Sequence, residues 1–404
     1  MAKLETVAAV NGSVDFDEEI LEQGELISDK LHLLRLDQFP PDAQKSLRMF
    51  SSAEVADFIG VSQNFIKKLH LEGKGPVPQV GPSGRRSYSA AQMLELREFL
   101  YGQGRGDKRR YLPRRQAGDA LQVISVVNFK GGSGKTTTAA HLAQYLALTG
   151  HRVLAIDLDP QASLTALHGI QPELDRKPSL FEALRYDEHR CSIEELILPT
   201  NFPGLDIVPA NLELQEYEYE TPLMAANKST PEGRMFFTRI SQSLKEVDHK
   251  YDVVVIDCPP QLGYLTLTAL TASTAVLITV HPQMLDIMSM SQFLLMLGGI
   301  LRSIKAAGAK VRLNWFRYLV TRYEPTDGPQ AQMVGFMQAL FHRRMLTNAM
   351  LKSTAVSDAG ITKQTLYEVD RNQFTRSTYD RAIESLNAVN SEIVSLIHRA
   401  WGRP

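Results

Sequence analysis

From Leu121 onward, short apolar runs alternate with longer amphipathic stretches. The runs VISVV (123–127), VLAIDL (153–158), LDIVP (205–209), YDVVVID (251–257), AVLITV (275–280), FRYLVT (316–321) and TLYEV (365–369) are rich in β-branched residues. Near-continuous runs of this kind suit strands covered on both faces. Their alternation with helical patterns predicts parallel βαβ units. Residues 119–404 are therefore expected to form an α/β domain with a mostly parallel sheet flanked by helices. The last stretch, Tyr379 to Trp401, carries Ile383, Leu386, Val389, Ile393, Leu396 and Ala400 at near-heptad spacing and predicts a helix packed on that domain.

Upstream, the pattern is different. Residues 1–45 form an acidic, helix-prone extension with Ile20, Leu21, Ile27, Leu31 and Leu34 at roughly helical spacing. Gly24 is expected to break this helix and Pro40-Pro41 to end it, because proline lacks the donor a helix needs. The segment either packs on its neighbour or serves as a dimer helix. Residues 46–101 read as a compact second unit. Ser51 with Glu54 fits a capping box, and Val55, Phe58 and Ile59 make one apolar face. Gly60-Val61-Ser62 forms a turn with Ser62 as the next N-cap. The following helix places Phe65, Ile66 and Leu69 inward and leaves Gln63, Asn64, Lys67 and Lys68 facing outward. Residues 81–89, GPSGRRSYS, read as a hairpin wing carrying Arg85 and Arg86, with a third helix from about Ala90 to Leu100. A short helix, a turn, a polar-basic second helix and a wing suit recognition in a DNA major groove; a small helical adaptor is the alternative. Residues 102–118 hold Arg105, Lys108, Arg109, Arg110, Arg114 and Arg115 among glycines, the composition of a basic linker or of a phosphate-contacting arm.

The chain has 404 residues and a formal net charge of −1, so any polyanion-binding surface must come from local clustering. The two cysteines, Cys191 and Cys258, exclude a disulfide framework and a CxxC metal site and fit a reducing cytosol. The first residues lack a basic stretch followed by an apolar core, so no signal peptide is expected. No run of about 18 apolar residues occurs, so no membrane-spanning helix is expected either.

The strongest chemical signal is Asn128-Phe129-Lys130-Gly131-Gly132-Ser133-Gly134-Lys135-Thr136-Thr137. It follows a strand and precedes a helical pattern, the context a phosphate loop requires. Glycines 131, 132 and 134 let backbone amides approach a phosphate, and the new helix turns its free N–H groups toward the anion. Lys135 is placed against the β- and γ-phosphates and the Thr136 hydroxyl on Mg²⁺. Asp157, Asp159 and Asp257 stand at the carboxyl ends of strands, where α/β sheets bind ligands. Each alone would cap a turn; beside the phosphate loop, a carboxylate near Mg²⁺ is the stronger reading.

The order KGGSGKTT, DLDPQ, DCPP resembles the deviant Walker A ATPases of the ParA/MinD family. That resemblance implies ATP and Mg²⁺ as cofactors. It makes Lys130 the signature lysine that reaches a partner's phosphates in an ATP-state homodimer. Asp159 then orients the attacking water, Asp157 lies near the metal on the same loop, and Asp257 holds Mg²⁺. Pro209-Ala210-Asn211 resembles the family's segment near the nucleotide. The series EVADFIGVS, EG, GRRSYS is similar to MerR-like winged helices. Together these features resemble the large RepA-type partition ATPases of RepABC plasmid cassettes. The resemblance implies a cytoplasmic, nucleoid-associated protein with a weak ATPase. It would bind DNA without sequence preference, work with a ParB-like or RepB-like centromere-binding partner, and repress its own operon through the helix-turn-helix. Basic residues scattered over the C-terminal half, among them Arg317, Arg343 and Arg344, are ordinary surface charge or include the non-specific DNA contacts that such residues make in that family. A MinD-like membrane-cycling ATPase, with the C-terminal helix as its membrane contact, and a nucleotide-sensing repressor are the competing readings; no stable membrane association is expected.

Overall fold

The computed structural model describes residues 15–38, 45–82, 84–103, 107–171, 178–226, 235–308 and 311–403. The chain divides into a unit of residues 1–44 and a unit of residues 45–404. In the first, α1 (Phe16–Gln38) is one continuous helix that opens with Asp17, Glu18 and Glu19 in its first turn. It runs through Gly24 without a break. A single interior glycine costs only about 1 kcal/mol, and acids in the first turn favour the helix dipole. Pro40-Pro41 lies outside the described residues.

The second unit opens with β1 (Phe50–Ser51), α2 (Ser52–Ile59), α3 (Gln63–Leu71), β2 (Gln79–Val80), β3 (Arg86–Tyr88) and α4 (Ala90–Gln103). Ser51 and Glu54 form the capping box, Gly60 closes α2 in the left-handed conformation, and the Ser62 hydroxyl accepts from the Phe65 amide. Strand β3 pairs antiparallel with β2 and β1, which makes the wing. Ile66 and Leu69 are buried as expected, but Phe65 is 37% exposed. Ile66 and Leu69, three residues apart, form the buried stripe of the short α3, and Phe65 falls beside it.

The larger sheet follows the strand order β10–β9–β4–β8–β5–β7–β6. Its strands and flanking helices are, in chain order, β4 (Gln122–Val127), α5 (Lys135–Leu148), β5 (Val153–Asp157), α6 (Ser163–Leu167), α7 (Phe181–Leu184), β6 (Leu198–Pro199), β7 (Leu205–Val208), α8 (Leu214–Ala226), α9 (Arg239–Val247), β8 (Val253–Asp257), α10 (Tyr264–Ala272), β9 (Ala275–Val280), α11 (Met284–Ala306), β10 (Trp315–Val320), α12 (Gly328–Phe341), α13 (Thr354–Ile361) and α14 (Arg376–Ala400). Every pairing is parallel except that of β6 with β7. Ile124, Val126, Val153 and Val255 face one core with Leu142, Leu146, Leu386, Val389 and Ile393. Val123, Ile156, Val254 and Ile278 face the other with Ile240, Leu270, Met290 and Phe293. Burial on both faces explains the nearly uninterrupted apolar strand sequences.

The run TLYEV (365–369) is not a strand. Glu368 accepts from the Thr365 amide at 2.8 Å and His141 from the Leu366 amide at 3.3 Å. Side chains thus satisfy the backbone, while Leu366, Tyr367 and Val369 fill the core beside α5. The short antiparallel β6 was not legible, since two residues carry no period. Helix α11 is long and apolar enough to cross a membrane, which the sequence pattern did not disclose. Its Ile287, Met290, Phe293, Leu297 and Ile304 pack in the sheet core, as one layer of the α/β domain. Its other face leaves Leu285 and Leu295 exposed. The apolar stripe of α14, by contrast, is consumed by packing against α5.

The helix-turn-helix segment docks on the α5 side of the sheet. Phe58 meets Tyr145 and Tyr367 at centroid distances of 5.9 and 6.3 Å. Arg97 is buried, and its guanidinium donates to the Leu148 carbonyl at 3.2 Å, the Tyr111 carbonyl at 2.8 Å and the Phe58 carbonyl. Burial holds its pKa down to about 10. Residues 107–118, whose composition reads as linker, are held against the domain. Tyr111 and Leu112 are buried, Arg114 donates to the Gly150 carbonyl, and the Arg115 amide donates to Asp252 at 3.0 Å. Apolar Tyr111-Leu112 interrupts the basic run and supplies the anchor. Arg105 lies outside the described residues.

Candidate nucleotide site

Strand β4 ends at Val127, and the loop that follows turns into α5 at Lys135. Gly132 and Gly134 adopt left-handed φ values of 74° and 82°, which bend the loop back over the helix start. Helix α5 has no side-chain cap at Gly134, and its first intrahelical amide bond is Thr138 to Gly134. The amides of Lys135, Thr136 and Thr137 are therefore left for an anion. Asn128 braces the loop from inside, accepting from the Lys130 amide at 3.0 Å and donating to the Thr279 carbonyl. The Ser133 hydroxyl meets Thr279 Oγ1 at 3.1 Å, so this side chain faces the protein and only its backbone belongs to the loop surface.

A cleft of about 640 Å³ opens over this loop. Gly131, Gly132, Gly134, Lys135, Thr136 and Thr137 form its floor, and Asp159, Gln161 and Pro260 one side. Lys135 Nζ donates to the Lys130 carbonyl at 3.3 Å. Burial lowers its pKa, and the nearby charges of Asp257 and Asp159 oppose that.

The three acids occupy different settings. Asp257 is fully buried at the end of β8, and neither carboxylate oxygen has a hydrogen-bond partner among the described residues. Burial and then the Asp157 charge raise its pKa, while Thr136 and Lys135 act against the rise. Asp157 sits opposite it in register on β5. Its Oδ2 accepts from the Thr165 amide at 2.8 Å and hydroxyl at 2.7 Å, and its Oδ1 accepts from the Asp159 amide at 3.2 Å. Burial raises its pKa to about 7 against those bonds. The family resemblance puts Asp157 beside a metal; its observed bonds are those of a group that shapes the 157–165 loop. Asp159 is half-buried at the cleft wall and accepts from the Gln161 amide at 3.0 Å. Ala162, in the same loop, holds a left-handed φ of 53°, unusual for a residue with a Cβ.

An orphaned, buried carboxylate beside a threonine hydroxyl is the donor chemistry that a hard, six-coordinate cation takes. The residues present therefore fit Mg²⁺, with Asp257 and Thr136 as the groups that would hold it.

Lys130 is 41% exposed, and its Nζ lies 2.8 Å from Oδ2 of Asp286, a buried carboxylate in the first turn of α11. It lies outside the cleft lining.

Comparison with known proteins settles the lineage. Residues 121–307 match the AAA domain family. Over 388 residues the chain is 74% identical to a protein of Sinorhizobium fredii designated replication protein A, covering 96% of this chain and 95% of that one. It is 31% identical to a ParA family protein of Chlamydia trachomatis over 242 residues, 60% of this chain and 88% of that one. The chain belongs to the ParA family. A solved structure titled partition protein shares the fold over 94% of this ParA-family chain and 99% of its own, with a TM-score of 0.62 at 19% identity.

The far wall of the cleft in this ParA-family protein escaped sequence reasoning. It consists of Thr321, Arg322, Met350–Ser353, Val356 and Leu386. Thr321 Oγ1 donates to the Ser133 carbonyl at 2.8 Å and Arg322 Nη1 to the Gly132 carbonyl at 3.1 Å, so both clamp the loop from the end of β10. Arg322 has a left-handed φ of 52°. No motif marks these positions. Pro209-Ala210-Asn211, expected near the nucleotide, does not line the cleft; the Ala210 amide instead donates to Thr165 Oγ1 at 3.0 Å, behind Asp157.

The outward helix-turn-helix residues stand where the pattern puts them. Gln63, Asn64, Lys67 and Lys68 are exposed on α3, Arg85 is exposed on the wing, and Arg86 is half-buried. Ser83 lies outside the described residues.

Proposed function

We propose that this chain is a Mg²⁺-dependent partition ATPase that couples ATP binding to DNA binding. The observation that carries the reading is the buried Asp257 carboxylate, which lacks any partner among the described residues, at the mouth of the helix start where Thr136 and Lys135 converge. ATP is the substrate, with its phosphates on the amides of residues 131–137. The apolar wall of Met350, Leu351, Val356 and Leu386 takes the base. Asp257 and Thr136 would hold Mg²⁺, which would supply positive charge to the phosphates. Lys135 adds a point charge on the same phosphates. Asp159 orients a water for in-line attack; the bond from the γ-phosphorus to the bridging oxygen breaks, and ADP and phosphate leave. Asp157 positions Asp159 and α6 through its bonds to Thr165.

Lys130 completes the site in trans in an ATP-state homodimer, so turnover is slow and depends on protein concentration. The dimer binds DNA without sequence preference, and a ParB-like, RepB-like centromere-binding partner stimulates hydrolysis. Through α3 and the wing, Gln63, Asn64, Lys67, Lys68, Arg85 and Arg86 contact an operator and repress the chain's own operon. Packing of the apolar stripe of α14, the candidate membrane contact, against the domain favours this over membrane cycling.

The test is ATP hydrolysis by wild type, Lys130→Ala and Lys135→Ala over a range of protein concentrations, with and without DNA. Wild-type turnover per chain that rises with concentration, and is lost in both variants, supports the reading. Lys130→Ala activity equal to wild type sinks the trans-lysine mechanism; Lys135→Ala activity equal to wild type sinks the ATPase assignment.

A further inference from the structure

The first turn of α3 carries an aromatic ring that the fold does not bury. Phe65 is 37% exposed, while Ile66 and Leu69 form the inward stripe of the helix. At about 100° per residue, Asn64, Lys67, Lys68 and Leu71 line the outward stripe, and Gln63 and Phe65 flank it on either side. Phe65 thus stands beside Asn64, at the end of α3 where the Ser62 hydroxyl accepts from the Phe65 amide at 3.2 Å. That bond fixes the backbone from which both side chains project. A single exposed ring is ordinary on a protein surface. One set beside an outward amide on the leading turn of a recognition helix has a use there.

Charge sets which end of the helix leads. The C-cap is Glu72, whose carboxylate lies 2.8 Å from Lys74 Nζ and 3.7 Å from Lys68 Nζ. The hydrogen bond from Lys74 holds the Glu72 carboxyl below its ordinary range, so it is charged and repels phosphate. The other end of α3 has no acid in its first turn and presents the positive end of the helix dipole. The N-terminal turn therefore enters the groove first, the orientation in which recognition helices meet base edges. Gln63, Asn64 and Phe65 are then nearest the bases. Helix α3 contains no arginine, and none of these three side chains matches the paired acceptors of guanine, which call for Arg or Lys.

We propose that Asn64 and Phe65 read neighbouring A·T base pairs in the major groove of the operator. Asn64 Oδ1 accepts from the adenine N6 amine, and Nδ2 donates to adenine N7. The Phe65 ring packs on the C5-methyl of the adjacent thymine, a group that only this base shows in that groove. Phe65 thereby determines specificity without a hydrogen bond, and its exposure is the geometry that allows it. This assignment rests on the operator reading above and goes beyond it by naming the bases.

The experiment uses the full chain, with ADP and without nucleotide, and selects from a duplex library randomised over about 20 base pairs, two helical turns. The selected duplex is remade with deoxyuridine for each thymidine in turn, which deletes only the methyl. It is also remade with 7-deazaadenine for each adenine in turn, which deletes only the N7 acceptor. Affinities are read by fluorescence anisotropy. Deoxyuridine at one position is expected to weaken wild type about fourfold, the worth of one buried methyl. The 7-deaza base at the adjoining base pair should weaken it about tenfold. Phe65→Ala should bind the thymine and uracil duplexes equally and keep the 7-deaza effect; Asn64→Ala should show the reverse. Each comparison sets two duplexes against one protein, so a change in the folded fraction cancels. A selected duplex in which no thymine methyl matters, or a methyl effect that survives Phe65→Ala, overturns the Phe65 assignment and leaves the operator reading standing. A 7-deaza effect that survives Asn64→Ala overturns the Asn64 contact alone. Selection that returns no preferred sequence overturns both this assignment and the operator reading beneath it.

Discussion

Lys130 is held in its own chain by Asp286, at 2.8 Å from a carboxylate that α11 keeps buried. Under the trans-lysine mechanism, the ammonium must leave this partner before it can serve another subunit. Asp286→Asn removes the competing charge. Basal ATP turnover at fixed protein concentration should rise about two- to fivefold, the scale of a partly exposed ion pair. The double variant with Lys130→Ala should behave like Lys130→Ala alone, as expected when one residue acts only through the other. Phosphate release measured on all four proteins checks this.

Asp257 is maintained buried without a hydrogen bond among the described residues. Asp257→Asn removes the buried charge in the nucleotide-free protein, and with it the carboxylate proposed to hold Mg²⁺. Thermal unfolding without ligand should show a higher melting temperature, because a neutral amide costs less to bury than a carboxylate and does not repel Asp157. Hydrolysis should be lost and Mg²⁺ should no longer raise the melting temperature. Stability gained with activity lost is the pattern of a site that gives up stability for function.

Arg97 joins three carbonyls from three separate segments. Arg97→Ala leaves all three buried and unpaired and should destabilise the protein by about 3 kcal/mol or more. Lysine should not rescue it, since a single ammonium cannot match the spread of the guanidinium fork. Chemical denaturation of the two variants is the measurement.

His151 is buried and neutral, with its pKa pushed down to about 3 by burial. Its Nδ1 lies 3.2 Å from the Leu146 carbonyl, and its ring packs beside His398 and Trp401. The unfolded chain binds a proton near pH 6.5 and the folded chain does not. Stability is thus fully present above about pH 6.5 and falls as pH drops from there toward 3. At about pH 5 the loss is about 2 kcal/mol from this group. His141, held down to about 4, adds in the same direction. His151→Leu should flatten the pH dependence of thermal unfolding between about pH 7 and pH 5.

The operator contact proposed for α3 and the wing makes a salt prediction. Replacing Lys67, Lys68 and Arg85 together by alanine should lower the slope of log affinity against log salt by about one for each phosphate no longer neutralised. Titrations of operator DNA at several salt concentrations measure it. An unchanged slope places the DNA interface elsewhere.

The phosphate loop was legible because its chemistry is local: the glycines, Lys135 and Thr136 are contiguous, and their strand and helix flank them. The buried strands were legible for a similar reason, since burial on both faces writes itself into each run. TLYEV misled because a core loop whose backbone is satisfied by Glu368 and His141 has the same composition as a strand. The distinction between Asp157 and Asp257 was not legible either. Both end a strand and both are buried, and only the fold brings Thr165 to one and leaves the other bare. The wall from Thr321 to Ser353 was invisible because its residues meet the loop across nearly two hundred positions of chain.

Helix α5 begins at the phosphate loop and ends at Leu148, whose carbonyl receives Arg97. Its 14 residues therefore fix a separation of about 21 Å between the two ends. Adding or deleting one residue would turn the far carbonyl by about 100° away from the guanidinium. The length of this helix is a gauge that insertions and deletions cannot change without undocking one module from the other. Diversification of the chain is left to the segments around it.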